Sequence, residues 1–423
     1  MTSSLGHLPY NKIGTLGSVK LSDIGWVIIF NLCLFTTFIQ NAFGFSYVDE
    51  IVTVLAIFLY ARRSVKSPLA NPHSQHAEKC LLCLFAVVCI GFLGNLFSGL
   101  GTSPVAVAID LFACIKMPLA LICLILVIGD IRRVLRFIEG ECKLLAVILL
   151  ACGLIDLVVP LPGLYGEIRY GIRSFTFAFG HPESMVFVCV GMTVVLCSNL
   201  NENRLWILIL AIVACLSLRT KGMVFAALVA FLVFTWGRSG RFSIWHLLIG
   251  AFVALFIGWD QYQAYYNTDG IARNELMKAA GDIAVSYFPF GSGFASFGSN
   301  VTANPAYYSP LYYKYGLNTV YGLRPDNPAF LSDTFWPIII GQFGWLAFVV
   351  FCASMLFLFL FAYQSTSNGG GRLAVVVCFT FLLISSTAES AFFNPQALFL
   401  AVCLAFVIAF SREVATISEP TAL

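Results

Sequence analysis

Charge is what this sequence has least of. Only 11% of its 423 residues are Asp, Glu, Lys or Arg, while 59% are hydrophobic; a soluble domain carries about a quarter charged residues. A surface facing water all round cannot be built from that supply, which excludes a soluble globular protein. Basic runs are missing and the net charge is only +3, so no nucleic-acid partner is expected. The N-terminal segment Met1 to Lys20 is polar, with no small-residue cleavage pattern after it, and a cleavable leader is not expected. Cysteine is plentiful at fourteen, but the long segment 259–334 has none, and most cysteines fall in apolar runs. They read as small membrane hydrophobes rather than a disulfide scaffold. Cys80 and Cys83 have no partner pair, and His73 and His76 have no further ligands nearby, so no metal site and no cofactor is expected.

What remains is long apolar runs. With a mean hydropathy of +0.88, the chain reads as an all-α polytopic membrane protein, a single integral membrane domain over 1–423. Apolar segments fall at about 24–40, 47–61, 80–98, 104–128, 143–161, 183–199, 204–218, 221–236, 242–258, 335–362, 373–388 and 395–411. Each approaches the ~20 residues that a bilayer crossing needs. Helices are expected because lipid supplies no partner for unpaired backbone groups. About fifteen lysines and arginines fall in one set of links and about eight in the other, which predicts twelve spans with both termini cytoplasmic. The first set includes Lys12, Lys20, Arg132, Arg133, Arg238, Arg241 and Arg412. No internal repeat or pair of broken helices suggests an inverted-repeat transporter.

The cations on the sparser face invite explanation. Arg169 and Arg173 lie four residues apart in Glu167-Ile-Arg-Tyr-Gly-Ile-Arg173, ahead of Gly180-His181-Pro182-Glu183. That spacing allows both guanidinium groups to share a helical face and to grip phosphate oxygens. Arg219 and Lys221 occupy the tight link between the seventh and eighth apolar segments, where confined cations need partners. The extracytoplasmic loop 259–334 is too long to be a mere connection. It is rich in tyrosine, including Tyr312 and Tyr313, whose faces and hydroxyls suit sugar rings or a membrane interface. Residues Ile271 to Ser286 suggest an amphipathic helix lying on the membrane surface, with Arg273 on its polar side. Gly291-Ser-Gly293-Phe-Ala-Ser-Phe-Gly298 has the wrong spacing for a dinucleotide motif, though such a turn can offer amides to an anion. Arg324, Asp326, Ser332 and Asp333 mark the loop exit, where Ser332 or Asp333 would cap the next helix. Asp110, Lys116 and Asp156 fall inside apolar runs and imply internal pairs or a polar path.

Taken together these segments resemble the bacterial O-antigen polymerase and ligase superfamily. The matching stretches are Arg173…His181-Pro182, Leu218-Arg219-Thr220-Lys221-Gly222, Phe290-Gly-Ser-Gly293…Phe297-Gly298, and Leu331-Ser-Asp333-Thr-Phe-Trp336 followed by Gly341-Gln-Phe-Gly344. The likeness covers the layout of residues 80–410. It implies a GT-C-like fold in the inner membrane and a glycosyltransferase that uses an undecaprenyl-diphosphate-linked oligosaccharide. Polymerisation of repeat units for O-antigen, capsule or exopolysaccharide would follow, with a chain-length regulator and a flippase as expected partners besides membrane lipids. Ligases of this family carry a His-Asn pair where Ser332-Asp333 stands here, which favours a polymerase. On this reading Arg173 and Arg219 clamp the diphosphate, and Asp333 or His181 accepts the acceptor's proton. Arg169, Lys221, Arg273, Arg324, Asp326, Tyr312 and Tyr313 bind substrate. A flippase or an O-antigen ligase is the rival reading.

Overall fold

The computed structural model describes residues 21–66, 74–239 and 244–418, and 76% of the described residues are helical. Lys12, Lys20, His73, Arg241 and both chain ends lie outside the described residues, as does the side chain of Arg238. The helices follow the apolar runs closely. They are α1 (Leu21–Leu34), α2 (Thr36–Phe43), α3 (Val48–Lys66), α4 (Ser74–Ser98), α5 (Pro104–Val127) and α6 (Arg132–Val158). A hairpin of β1 (Tyr165–Arg169) and β2 (Ile172–Phe175) precedes α7 (Pro182–Leu196), α8 (Leu200–Leu216), α9 (Thr220–Ser239) and α10 (Ile244–Tyr266). Then come α11 (Ala272–Ser286), the short α12 (Pro310–Lys314), α13 (Trp336–Gln364), α14 (Gly369–Ser385) and α15 (Pro395–Ser418).

Among the described residues, five helices are long and apolar enough to cross a membrane, or six if α1 and α2, bent by 67° at Phe35, count as one span. The apolar run Pro182–Leu216 is 35 residues long, about 52 Å if straight and too long for a ~30 Å hydrocarbon core. It turns back on itself at Cys197–Asn199. The proof is at its ends: Arg219 Nη2 lies 3.3 Å from His181 Nε2, so α7 and α8 run antiparallel. The centre of the bundle is α15, whose apolar window is 83% buried inside the protein, whereas α4 at 28% is peripheral.

The ionisable side chains inside apolar runs have internal partners. Lys116 pairs with Asp49, with Glu50 at 4.0 Å. Asp156 accepts from the Leu161 amide at 3.0 Å and lies 3.8 Å from the Arg173 guanidinium. Asp110 accepts from the Ala295 amide at 2.7 Å. Lys116 and Asp156 thus have oppositely charged partners, whereas Asp110 is held by a backbone amide.

The segment after α10 differs from its sequence reading. Residues 259–266 extend α10, so the connection starts later than expected. It is also a folded unit: Leu276, Ile283, Phe297, Leu311, Tyr312, Leu323 and Leu331 form a second core. The anticipated amphipathic helix exists as α11, but its apolar face packs on that core and on α13 rather than lying on a membrane. The glycine-rich stretch 291–299 is almost wholly buried between α4 and α13. A Cβ on Gly94 would stand 2.7 Å from the Gly293 nitrogen, and one on Gly341 2.6 Å from Phe297. Its amides are already taken, Gly293 by the Gln342 carbonyl (2.7 Å), Phe294 by Asn95 (2.8 Å) and Ala295 by Asp110. The carboxyl group that this turn receives is thus the protein's own Asp110.

Candidate functional site

The predicted site residues come from segments far apart in sequence, and most of them meet at one end of the bundle. The first element is the β1–β2 hairpin. Tyr170 and Gly171 at its tip both have positive φ (53° and 77°), as a two-residue type I′ connection requires. Arg169 and Arg173 therefore sit on paired strands rather than on one helical face, and the cross-strand partner of Arg173 is Ile168. Arg173 donates to the Asp156 carbonyl and lies over the Tyr165 ring at 5.6 Å. Arg169 holds Glu167 at 3.5 Å, and the same Glu167 oxygen lies 3.5 Å from Arg219.

His181 is the N-cap of α7, its Nδ1 accepting the Glu183 amide at 3.3 Å. Its Nε2 faces Arg219, and both contacts cannot be hydrogen bonds at once in a neutral ring, which has one acceptor nitrogen. Burial, reinforced by Arg219 and Lys221 and opposed by Glu183, lowers the imidazole's pKa. At neutral pH the ring is accordingly uncharged beside the guanidinium. Lys221, from the first turn of α9, is more deeply set. It pairs with Glu389 and lies 3.3 Å from Glu183, and all three side chains are largely buried. Glu389 is held further by Ser385 and by Asn394 at 3.1 Å.

The folded segment after α10 contributes the third part. Arg273 of α11 donates to Asp333 at 3.1 Å and to the Ala388 carbonyl at 3.3 Å, and lies over Tyr265 at 4.4 Å. Tyr266 donates to the neighbouring Thr387 carbonyl. Asp333 is therefore an ion-pair partner and not a helix cap; α13 begins at Trp336 with no side-chain cap. Burial raises the Asp333 pKa even though Arg273 opposes it, and the charges of Glu183 and Lys221 reach it as well. The two halves of the cluster thus form one electrostatic site.

Arg324, Asp326, Tyr312 and Tyr313 have other surroundings. Arg324 donates to the Thr319 carbonyl at 3.3 Å and belongs to a local turn bridged to Asn327. Asp326 lies two residues along that same turn. Tyr312 is fully buried, its hydroxyl bonded to the Gly298 amide at 2.7 Å and to Thr302, its ring stacked on Phe297. It is a scaffold residue with no face left for a sugar. Tyr313, exposed beside Tyr308, keeps one. Glu389 and Glu167 are the partners that sequence reading missed. Glu167 was in view as part of its arginine segment, but no spacing rule links Glu389 to a lysine 168 residues away.

Arg169, Arg173, Arg219, Lys221 and Arg273 stand against Asp156, Glu167, Glu183, Asp333 and Glu389, five cations and five carboxylates. Arg219 has no buried carboxylate partner, because Glu167 is two-thirds exposed, and it shares Glu167 with Arg169. An arriving anion can replace an exposed carboxylate at little cost, since such pairs contribute only slightly. Among the described residues no group of three or more His, Cys, Asp or Glu side chains could hold a metal ion.

No family model, curated protein or solved structure matches this chain.

Proposed function

We propose that the protein is a membrane glycosyltransferase that polymerises oligosaccharide repeat units carried on undecaprenyl diphosphate, at the extracytoplasmic face of the inner membrane. In this reading it has a GT-C-like fold and crosses the membrane twelve times, with both termini in the cytoplasm. The observation that carries the proposal is the convergence of Arg219, His181, Lys221 and the Arg273–Asp333 pair at one end of the bundle, from four separate stretches of chain. Charge that develops on a departing diphosphate needs preorganised donors; Arg219 supplies a guanidinium fork beside a neutral imidazole, and Arg173 on the neighbouring hairpin is the proposed second member of the clamp. The acceptor hydroxyl forms the new bond to the anomeric carbon as the bond to the diphosphate oxygen breaks and its electron pair leaves with phosphate. The hydroxyl's proton passes to Asp333 or His181. The internal matching of Lys116 and Asp156 speaks against the rival transporter, which would need polar groups free along several helices.

The test is deletion of the gene in its host, with complementation by wild type or Arg219→Ala, and a gel of surface and lipid-linked glycans. Polymerase action predicts single-repeat glycan in the deletion and a ladder restored by wild type alone. Full-length polymer left on the carrier would identify a ligase, and unchanged glycan in every strain would return the reading to transport.

A further inference from the structure

The end of α6 and the β1–β2 hairpin together carry an unusual run of bare apolar side chains. Val158 and Val159 are exposed at 83% and 54%, and Ile168, Tyr170 and Ile172 at 70%, 71% and 46%. Water around such a surface is costly, at about 25 cal/mol per Å². The hairpin's register pairs Ile168 with Arg173 and Arg169 with Ile172. Because paired residues share a face and neighbours along a strand alternate, Ile168 and Ile172 project to opposite faces. A protein partner docking on one side would cover only one of them, whereas immersion covers both. The patch is also continuous along the chain with Leu154, Ile155 and Leu157, exposed on the apolar second half of α6.

Two features limit the depth. A two-strand ribbon has unpaired backbone groups on its outer edges, which hydrocarbon cannot satisfy. Arg169 and Glu167 beside the tip likewise need water or headgroups. Root and tip face different ways: Ser174 and Phe175 are buried at the root, and Glu167 reaches Arg219.

We propose that the β1–β2 hairpin is a membrane-interface element, seated at the boundary between phospholipid headgroups and acyl chains with Ile168, Tyr170 and Ile172 in lipid. Through Glu167 it forms the wall between that lipid and Arg219, so an anion carried on a lipid headgroup meets Arg219 at its own depth. The inference does not require the polymerase reading, since it concerns only what surrounds the hairpin.

The full chain, reconstituted in phospholipid nanodiscs, is irradiated with a phospholipid bearing a diazirine just below the glycerol, or with one bearing it at the chain end. Adducts are mapped by peptide mass spectrometry. The shallow probe is expected to label residues 168–172 at a yield comparable with residues 154–159, while the chain-end probe labels α6 and spares the hairpin. Shallow labelling of 154–159 with none on 168–172 overturns the proposal, whether water or a second copy of the chain covers the tip. Labelling of the tip by the chain-end probe alone overturns the depth assigned to it.

Discussion

Arg219 and Lys221 are two residues apart and are held in opposite ways. Lys221 is buried between Glu183 and Glu389, whereas the carboxylate facing Arg219 is largely in solvent. Stability rests on the first, and the proposed ligand chemistry on the second. Lys221→Ala leaves Glu389 buried without its cation, a loss of about 3–5 kcal/mol for a broken buried pair. Thermal unfolding in detergent should register it, and Lys221→Met combined with Glu389→Gln should recover most of the loss; no recovery would mean that packing rather than charge sets the cost. Arg219→Ala should leave the melt near wild type but lower glycan transfer by about 10²–10³-fold, the scale for removing a preorganised donor. Arg219→Lys should restore little, because an ammonium cannot reproduce the planar fork. His181 adds a pH dependence of definite sign. Its pKa is lowered in the fold by burial, so the unfolded chain binds the proton first as pH falls through the ordinary imidazole value. Stability should therefore drop as pH falls from about 6.5 toward the lowered value and level off below it. Melts across that range should be flatter for His181→Gln; an unchanged slope would remove His181 as the cause.

At the scale of elements, the glycine-rich stretch and its neighbours are the least replaceable part of the fold. Gly293 has φ +88°, and a Cβ there would stand 2.3 Å from the Asn95 nitrogen, a backbone atom that cannot swing aside. Gly293→Ala combines backbone strain of about 1–3 kcal/mol with that clash, and should sharply reduce the folded fraction in size-exclusion profiles. Gly281→Ala in α11 meets nothing within 4 Å and should be neutral or stabilising by up to about 1 kcal/mol; equal damage from both would mean that close approach is not what the glycines provide. The helices themselves were legible, because a long apolar run has one solution in lipid. The run at 104–128 became α5 and that at 395–411 the first part of α15. The start of α6 was missed because Arg132 to Lys143 is polar yet helical; hydropathy marks where a helix is apolar, not where it begins. Arg169 and Arg173 were legible as a cationic pair but not as a hairpin, since Tyr170-Gly171 is a weak turn signal. Asp333 was legible as a loop-exit carboxylate, but its partner Arg273 is 60 residues away. Only tertiary structure brings those two together.

For the molecule as a whole, contacts between chain segments sort the helix ends into two groups. Arg132 pairs with Glu413, Arg412 donates to the carbonyls of Ser365 and Ile125, and Asn199 donates to Glu139, all at one end. The other end holds His181 with Arg219, Lys221 with Glu389, and Arg273 with Asp333. Following the chain, the α5–α6, α6–α7, α7–α8 and α8–α9 links fall alternately in the two groups, as do the α10–α13, α13–α14 and α14–α15 links; the α9–α10 link lies outside the described residues. The proposed twelve-pass topology also requires short helices such as α7, α9 and α14 to cross. The end with Arg132, Arg133, Arg204 and Arg412 holds the larger share of basic residues, and the proposed orientation sets that end in the cytoplasm. Reporters inserted at Asp130, Asn199 and Ser367 should then read cytoplasmic, and those at Gly101, Pro305 and Ala391 extracytoplasmic. The informative pair is Asn199 and Pro305. If both report the same side, then α8, α9 and α10 do not make three crossings between them, and the cluster around Arg219 would have to be assigned to a different compartment from the one a lipid-linked glycan donor requires.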